Sequence, residues 1–413
     1  MKYWVKLSPE EQSKRIKQAL EQTINYTEKP MLGIPASVVD KKVFYGQTAS
    51  MKNFPFLQAI LQNPNHIGCH TLGESEPFFA GTQDIEREVI QILAQDIFGA
   101  EEDAYDGYIA SGGTEANIQA VWMYRNYYFN EYDANIDEIL LLASEDTHYS
   151  VAKASNLLQI KWRSVSVNMD DRTLDLKDLE SIIKEEKKNG KKYVIVISNV
   201  GTTMFGSIDN PDDYATMLNK HKMKFKIHLD AAFGGFIYPM VVGDHNIGFK
   251  NPIVSSITLD AHKMLQAPYG TGIFLTRKGL IANVYTKEAQ YVNGMDITLC
   301  GSRSGANAIA VWMLLKTYGP YGWLEKLNTL LYRTDRCCYH LRECGIRFYR
   351  HPKMNIISIR AEDIPHELAD EYGLVPDTHE GETKWYKIVV MQHVEIEILK
   401  AFTDKLELVH KNK

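Results

Sequence analysis

Cysteine is sparse in this chain of 413 residues, and its positions follow no pattern. The five cysteines, Cys69, Cys300, Cys337, Cys338 and Cys344, have neither metal-ligand spacing nor an even-numbered framework. That argues against a metal module and against a disulfide-stapled secreted domain, and predicts reduced thiols. Long apolar runs are also missing. No stretch approaches the roughly 18–20 residues that a membrane-crossing helix needs. The opening Met1-Lys2-Tyr3-Trp4-Val5-Lys6 lacks the apolar core of a signal peptide. Charge of one sign is not in excess: the formal net charge of −6 gives no reason to expect nucleic acid or an anionic membrane as partner. Internal repeats and low-complexity segments are absent. Hydrophobic content of 45% and charged content of 24% are ordinary for a globular protein. The length allows two or three domains. These absences leave a soluble cytoplasmic enzyme acting on a small molecule as the expected class.

The apolar pattern then gives an organisation. An amphipathic helix is predicted from Pro9 to about Tyr26, followed by a stretch punctuated by Pro and Gly; residues 1–65 have little core of their own and are expected to pack on something else, such as a second subunit. From Thr82 to Phe98 apolar residues recur at helical spacing: Ile85, Val89, Ile92, Leu93 and Ile97. A further helix follows Gly112 and Gly113. Then strands and helices alternate. Strands are predicted at 140–143, 165–167, 193–200, 225–232, 255–259 and 272–276, and helices at 151–160, 176–188 and 212–221. Continuous apolar strands between helices indicate a mostly parallel sheet covered on both faces. A long helix is expected to begin near Ala306. Strands at 356–359 and 387–390 and a final helix then predict a small C-terminal α/β domain. The expected division is 1–65, 66–305 and 306–413.

Chemistry concentrates at the strand ends. Ile227-His228-Leu229-Asp230-Ala231-Ala232 closes one apolar strand with a carboxylate, and Leu259-Asp260-Ala261-His262-Lys263 closes another with a His-Lys pair. That combination suits pyridoxal phosphate: a lysine amine joins the cofactor aldehyde, and a carboxylate keeps the pyridine nitrogen protonated. Asp230 and Ala232, two apart in a predicted strand, are expected on one face, with the small Ala232 methyl under the ring. His228 shares that face and could support Asp230 from behind. Ser111-Gly112-Gly113-Thr114 opens a helix, where glycines let the backbone approach an anion and first-turn amides bind it. Gly-Gly-Thr is common by itself and gains meaning from Lys263.

In these motifs the chain resembles the group II pyridoxal-phosphate-dependent amino acid decarboxylases, most closely the compact bacterial and archaeal histidine and tyrosine/aspartate decarboxylases. Ser256, Ile257 and Lys263 fit the family's lysine signature, and the resemblance runs from about Gly68 to the C-terminus. It implies the aminotransferase-like fold (fold type I), with a mostly parallel seven-stranded sheet in the large domain, and a homodimer. It implies that Lys263 carries the cofactor, that His148 in Asp146-Thr147-His148-Tyr149 stacks on the ring, that Gly113, Thr114 and His262 hold the phosphate, and that Thr202 lies beside the ring. Arg303 in Gly301-Ser302-Arg303-Ser304-Gly305 either contacts the phosphate or supports the site structurally. Arg360 in the small domain is a candidate for gripping the substrate α-carboxylate. Tyr291, within the short segment between Ala282 and Ser304, is a candidate proton donor.

The activity implied is α-decarboxylation of an L-amino acid to an amine and carbon dioxide. His70 and Thr71, from this subunit or the other, are expected to line the side-chain pocket, and they fit acidic, aromatic and imidazole substrates equally. A second reading keeps the cofactor and breaks a carbon–carbon bond, as the similar sphingosine-phosphate lyases do. A non-catalytic cofactor-binding protein is opposed by the intact Lys263, Asp230 and His148. No metal is expected.

Overall fold

Seven short strands pair into one sheet: β1 (Tyr105–Ala110), β2 (Ile139–Ser144), β3 (Lys161–Val165), β4 (Tyr193–Asn199), β5 (Lys224–Asp230), β6 (Val254–Asp260) and β7 (Gly272–Arg277). The computed structural model describes residues 80–243, 246–289 and 294–411, with 40–44, 65–66 and the single positions 10, 30, 32, 33 and 74. The expected helix at 9–26 lies outside the described residues, apart from Glu10. The sheet order is β1-β7-β6-β5-β4-β2-β3. Pairing is parallel from β6 through to β3, and β7 runs against both its neighbours. Six strands therefore point the same way, and their C-terminal ends share one edge of the sheet.

Both faces are covered, which is why β2, β4 and β6 read as unbroken buried runs. One face carries α2 (Gly113–Tyr132) and α3 (Ser150–Leu158), with Tyr124, Tyr128 and Val151 in the core. The other carries α4 (Leu176–Lys188), α5 (Pro211–Lys220) and α6 (Gly234–Val242). Helix α1 (Ala80–Gln91) is continued as a π-turn over Ile92–Ile97, which buries Leu93 and Ala94. Asp175 caps α4 by accepting from the amides of Lys177 and Asp178, and Asn210 caps α5, where Pro211 stands in the first turn.

One expected strand is displaced. The pairing strand is Lys161–Val165, whereas 165–167 was expected; Val167 makes only an isolated bridge to Leu174. As an edge strand with mostly exposed or half-buried side chains, Lys161-Trp162-Arg163-Ser164-Val165 carries no apolar run to signal it.

Helix α7 (Gly305–Glu343) begins within a residue of the expected start and bends at Gly319 and Pro320. Its first half packs Val311, Leu314 and Trp323 into the large core, and its second half packs Cys337, Cys338 and Leu341 into a separate core with Ile357, Ile359 and Phe402. That second core lies under a four-stranded antiparallel sheet of β8 (Phe348–Tyr349), β9 (Ile356–Arg360), β10 (Val375–Pro376) and β11 (Trp385–Val389), ordered β8-β9-β11-β10, and the closing helix α8 (Ile396–Lys411). Among the described residues no helix is long and apolar enough to cross a membrane.

Candidate active site

The strand ends converge on a cavity of about 360 Å³. Lys263, Asp230, His148, Gly113, Thr114, Thr202, Ala232 and His262 all line it. They come from five segments leaving the same sheet edge, with Gly113 and Thr114, Asp230 and Ala232, and His262 and Lys263 each sharing one, and such an edge is where open α/β sheets bind ligands.

Lys263 follows β6 by a turn in which its amide donates to the Asp260 carbonyl. Its Nζ lies 2.9 Å from Asp260 Oδ2. Burial alone would lower its pKa, but Asp260 and then Asp230 outweigh burial and hold it above the ordinary lysine value. His262 Nε2 is 3.6 Å from the same Asp260 oxygen. The His262 ring stacks on Tyr269 with centroids 4.5 Å apart, and burial pushes its pKa down. Asp260, three residues before Lys263, was not assigned a role in advance; the i,i+3 spacing was the available signal.

Asp230 ends β5. Its Oδ1 accepts from the Ala232 amide at 3.2 Å and its Oδ2 from Asn117 Nδ2 at 2.7 Å. Because the strand stops at Asp230, Ala232 reaches the cavity through the following turn and not through strand alternation. His228 lies behind: its Nε2 is 3.0 Å from Asn117 Oδ1. Asn117 was missed by sequence reasoning, although it lies one helical turn into α2 from the glycines.

His148 Nδ1 meets Ser150 Oγ at 3.0 Å, and burial lowers its pKa. Its ring is 3.9 Å from that of Tyr149. Thr202 lines the cavity, yet its hydroxyl also closes the turn to Ser207, with Oγ–Oγ at 2.7 Å. The loop 201–206 is held from the small domain. Lys387 Nζ donates to the Thr203 carbonyl at 3.0 Å and Ser358 Oγ to that of Met204 at 2.6 Å, and these two residues are cross-strand partners on β11 and β9. Lys387 is buried, which together with Lys263 pushes its pKa down to about 8.

Two arginines sit elsewhere. Arg303 is buried against Glu86, donates to the Ile109 carbonyl at 3.1 Å and lies over the Tyr108 ring, a structural arrangement. Arg360 lies over the Trp385 ring at 3.9 Å and does not line the cavity. Tyr291, His70 and Thr71 lie outside the described residues. Among the described residues no cluster of His, Cys, Asp and Glu could hold a metal ion.

The cavity suits a phosphorylated pyridine aldehyde. At one end α2 starts without a side-chain cap, leaving first-turn amides free for an anion. His262 faces Gly112 there and has a buried Nδ1 without a protein partner. A Cβ on Gly113 would come within 3.0 Å of Asp260 Oδ2 and 3.1 Å of the Ala232 methyl, so any side chain would intrude between phosphate end and ring end. At the other end stand a carboxylate and an amine.

A family model of the pyridoxal-dependent decarboxylase conserved domain matches residues 61–342, and the chain belongs to that family. It is an amino acid decarboxylase, a carboxy-lyase whose cofactor is pyridoxal 5′-phosphate. It is 50% identical to the tryptophan decarboxylase of Clostridium sporogenes over 411 residues, 100% of this chain and 99% of that one. It is 31% identical to a probable L-tyrosine/L-aspartate decarboxylase of Methanocella arvoryzae, over 89% of this chain and 94% of that one. The fold matches L-methionine decarboxylase from Streptomyces sp. 590 with a TM-score of 0.76 at 20% identity, over 97% and 95% of the two chains. Both of these relatives by sequence are named decarboxylases, in keeping with the first of the two reactions expected from the sequence.

Proposed function

We propose that this protein is an aromatic L-amino acid α-decarboxylase with L-tryptophan as preferred substrate, releasing tryptamine and carbon dioxide. The observation that carries this reading is the 50% identity to a tryptophan decarboxylase along the whole of both chains. The cavity supports it. Phe233, Tyr149, Tyr269 and Ile356 line it, and among the described residues Lys263 is its only lysine or arginine. Among the described residues of the cavity, a second carboxylate from aspartate or glutamate would meet no fixed counter-charge besides Lys263, and an unpaired buried charge is strongly disfavoured. Tyrosine remains within the aromatic class.

Pyridoxal phosphate, when bound, supplies a conjugated pyridine ring that takes up the electron pair left as carbon dioxide departs. The chain's residues do the rest. First-turn amides from Gly113 and Thr114, with His262, hold the phosphate. Asp230 would keep the ring nitrogen protonated. Ala232 and His148 would confine the ring, and Thr202 would close one side. Lys263 would hold the cofactor by its aldehyde carbon before substrate arrives and again after the amine leaves. The cavity walls would orient the substrate for loss of its carboxylate, an effect of position more than of contact. Tyr291 is retained as the proton source, and His70 and Thr71 as the far wall of the side-chain pocket. A homodimer fits this arrangement, because Tyr149 and Tyr269 are 61% and 83% exposed at the cavity mouth and a second copy would cover them. We place the enzyme in the cytoplasm, in keeping with its free cysteines.

Amine and carbon dioxide release from the cofactor-loaded protein, measured over tryptophan, tyrosine, phenylalanine, histidine, aspartate and glutamate, tests the reading. Tryptophan is expected to give the highest kcat/KM, and Lys263→Ala to give no release. Preference for aspartate or glutamate would overturn the substrate class. No carbon dioxide from any of the six by the loaded protein would overturn decarboxylation of these substrates altogether.

A further inference from the structure

Behind the cavity floor lies a chain of buried polar groups whose hydrogen-bond directions can be worked out one from the next. Asp230 as a carboxylate only accepts, so the Asn117 atom 2.7 Å away is its amide nitrogen. The Asn117 oxygen then faces His228 Nε2 at 3.0 Å, and an oxygen that can only accept requires the proton on Nε2. His228 is neutral, since burial pushes its pKa down to about 4. Its Nδ1 therefore accepts, and Ser256 Oγ at 2.6 Å donates to it. Tyr124 OH, in contact with Ser256 Oγ, is left to donate to that oxygen. Thr258 Oγ1 also lies 3.0 Å from His228 Nε2, where it can share the same proton. Every donor in the series Tyr124, Ser256, His228, Asn117 points toward Asp230.

Asn117 also branches. Its Nδ2 is 2.9 Å from Ser150 Oγ, so its second hydrogen goes there. Ser150 Oγ is thereby an acceptor from Asn117 and turns its own hydrogen to His148 Nδ1 at 3.0 Å. Independently, the Ser150 backbone N–H, which can only donate, lies 3.3 Å from that same Nδ1. Both lines of argument leave Nδ1 without a proton and place it on Nε2.

We propose that Asn117 is a positioning residue that sets both groups flanking the cofactor ring at once, anchoring Asp230 with one amide hydrogen and, through Ser150, fixing His148 as the Nε2–H tautomer. His228, Ser256 and Tyr124 hold the Asn117 amide in the one orientation that does this. The inference rests on the proposed site roles of Asp230 and His148 but not on the substrate. Networks of this kind polarise each bond by the next and are lost together when one member fails.

The test reads the histidines directly. In ¹⁵N-histidine-labelled protein without cofactor, His148 and His228 are expected to show a protonated Nε2 and a bare Nδ1. In Asn117→Ala only the long 3.3 Å contact from the Ser150 amide still favours a bare Nδ1, so His148 is expected to gain a population protonated on Nδ1, and the dissociation constant for pyridoxal phosphate, followed by its absorbance, to rise at least about tenfold, the worth of one hydrogen bond to a charged group. Asn117→Asp keeps the shape but cannot donate, and carries the same expectation should the alanine variant fail to fold. A proton on His148 Nδ1 in the parent protein overturns the proposal. So do unchanged tautomers and unchanged cofactor affinity in the folded variants. Absence of decarboxylation with the expected tautomers present would overturn the proposed activity and leave the network standing.

Discussion

At the scale of single residues, burial sets the chemistry more than charge count does. His228 shows this most plainly. Burial pushes its pKa from 6.5 down to about 4, and Asp230 offsets only part of that. A folded-state pKa below the unfolded one means that the unfolded chain takes up the proton first. The stability associated with the neutral ring is therefore complete above about 6.5 and is lost as the pH falls toward 4. At about 1.4 kcal/mol per unit, the loss is on the order of 3 kcal/mol. Urea unfolding at pH 7.5 and pH 4.5 should show that loss in the parent protein and a smaller one in His228→Gln, which keeps a donor and an acceptor but does not titrate. Equal losses in both would contradict the assignment. At the same scale, the functional side chains at strand ends were legible because each stands in a short polar motif directly after an apolar run. Asn117 and Lys387 were not. Asn117 looks like any polar residue inside a helix, and Lys387 like a surface lysine on a strand, until β11 is paired with β9 and laid against Thr203.

At the scale of elements, the parallel strands and their helices could be read from apolar runs, and the edge strand β3 could not, because an edge exposes what a central strand buries. The place of Arg360 was hidden for a similar reason: its guanidinium lies over Trp385, 25 residues later in the chain, a contact made by strand pairing. Helix α7 carries the sharpest local requirement. Gly319 has φ 59° and ψ −179°, a region essentially reserved for glycine, and a Cβ there would meet nothing within 4 Å. Gly319→Ala therefore adds backbone strain without a clash, and is expected to destabilise the protein by about 1–3 kcal/mol in chemical unfolding. A change below about 0.3 kcal/mol would mean that the bend relaxes when a side chain is present. Since Val311 and Leu314 before the bend and Trp323, Leu327 and Leu330 after it all pack in the large-domain core, the strain would act within that core.

At the scale of the molecule, the small domain is more than a cap. It grips consecutive carbonyls of the loop bearing Thr202 and Thr203 through Lys387 and Ser358, while Phe205 packs edge-on to Trp385 with ring centroids 5.3 Å apart. The floor of the cavity comes from the large sheet and part of its wall from this gripped loop, so the shape of the cavity depends on both sheets together. Substrate identity was not legible in the sequence, because the recognisable motifs are short and local, whereas the cavity walls also take in scattered positions such as Phe233, Tyr269 and Ile356. The claim on which every role above depends is that the cofactor sits on Lys263. Borohydride reduction of the loaded protein fixes the cofactor to whichever lysine carries it, and peptide mass mapping locates the tag. A single modified peptide containing Lys263 is the predicted result. A tag on Lys387 or any other lysine, with Lys263 unmodified, would contradict the account.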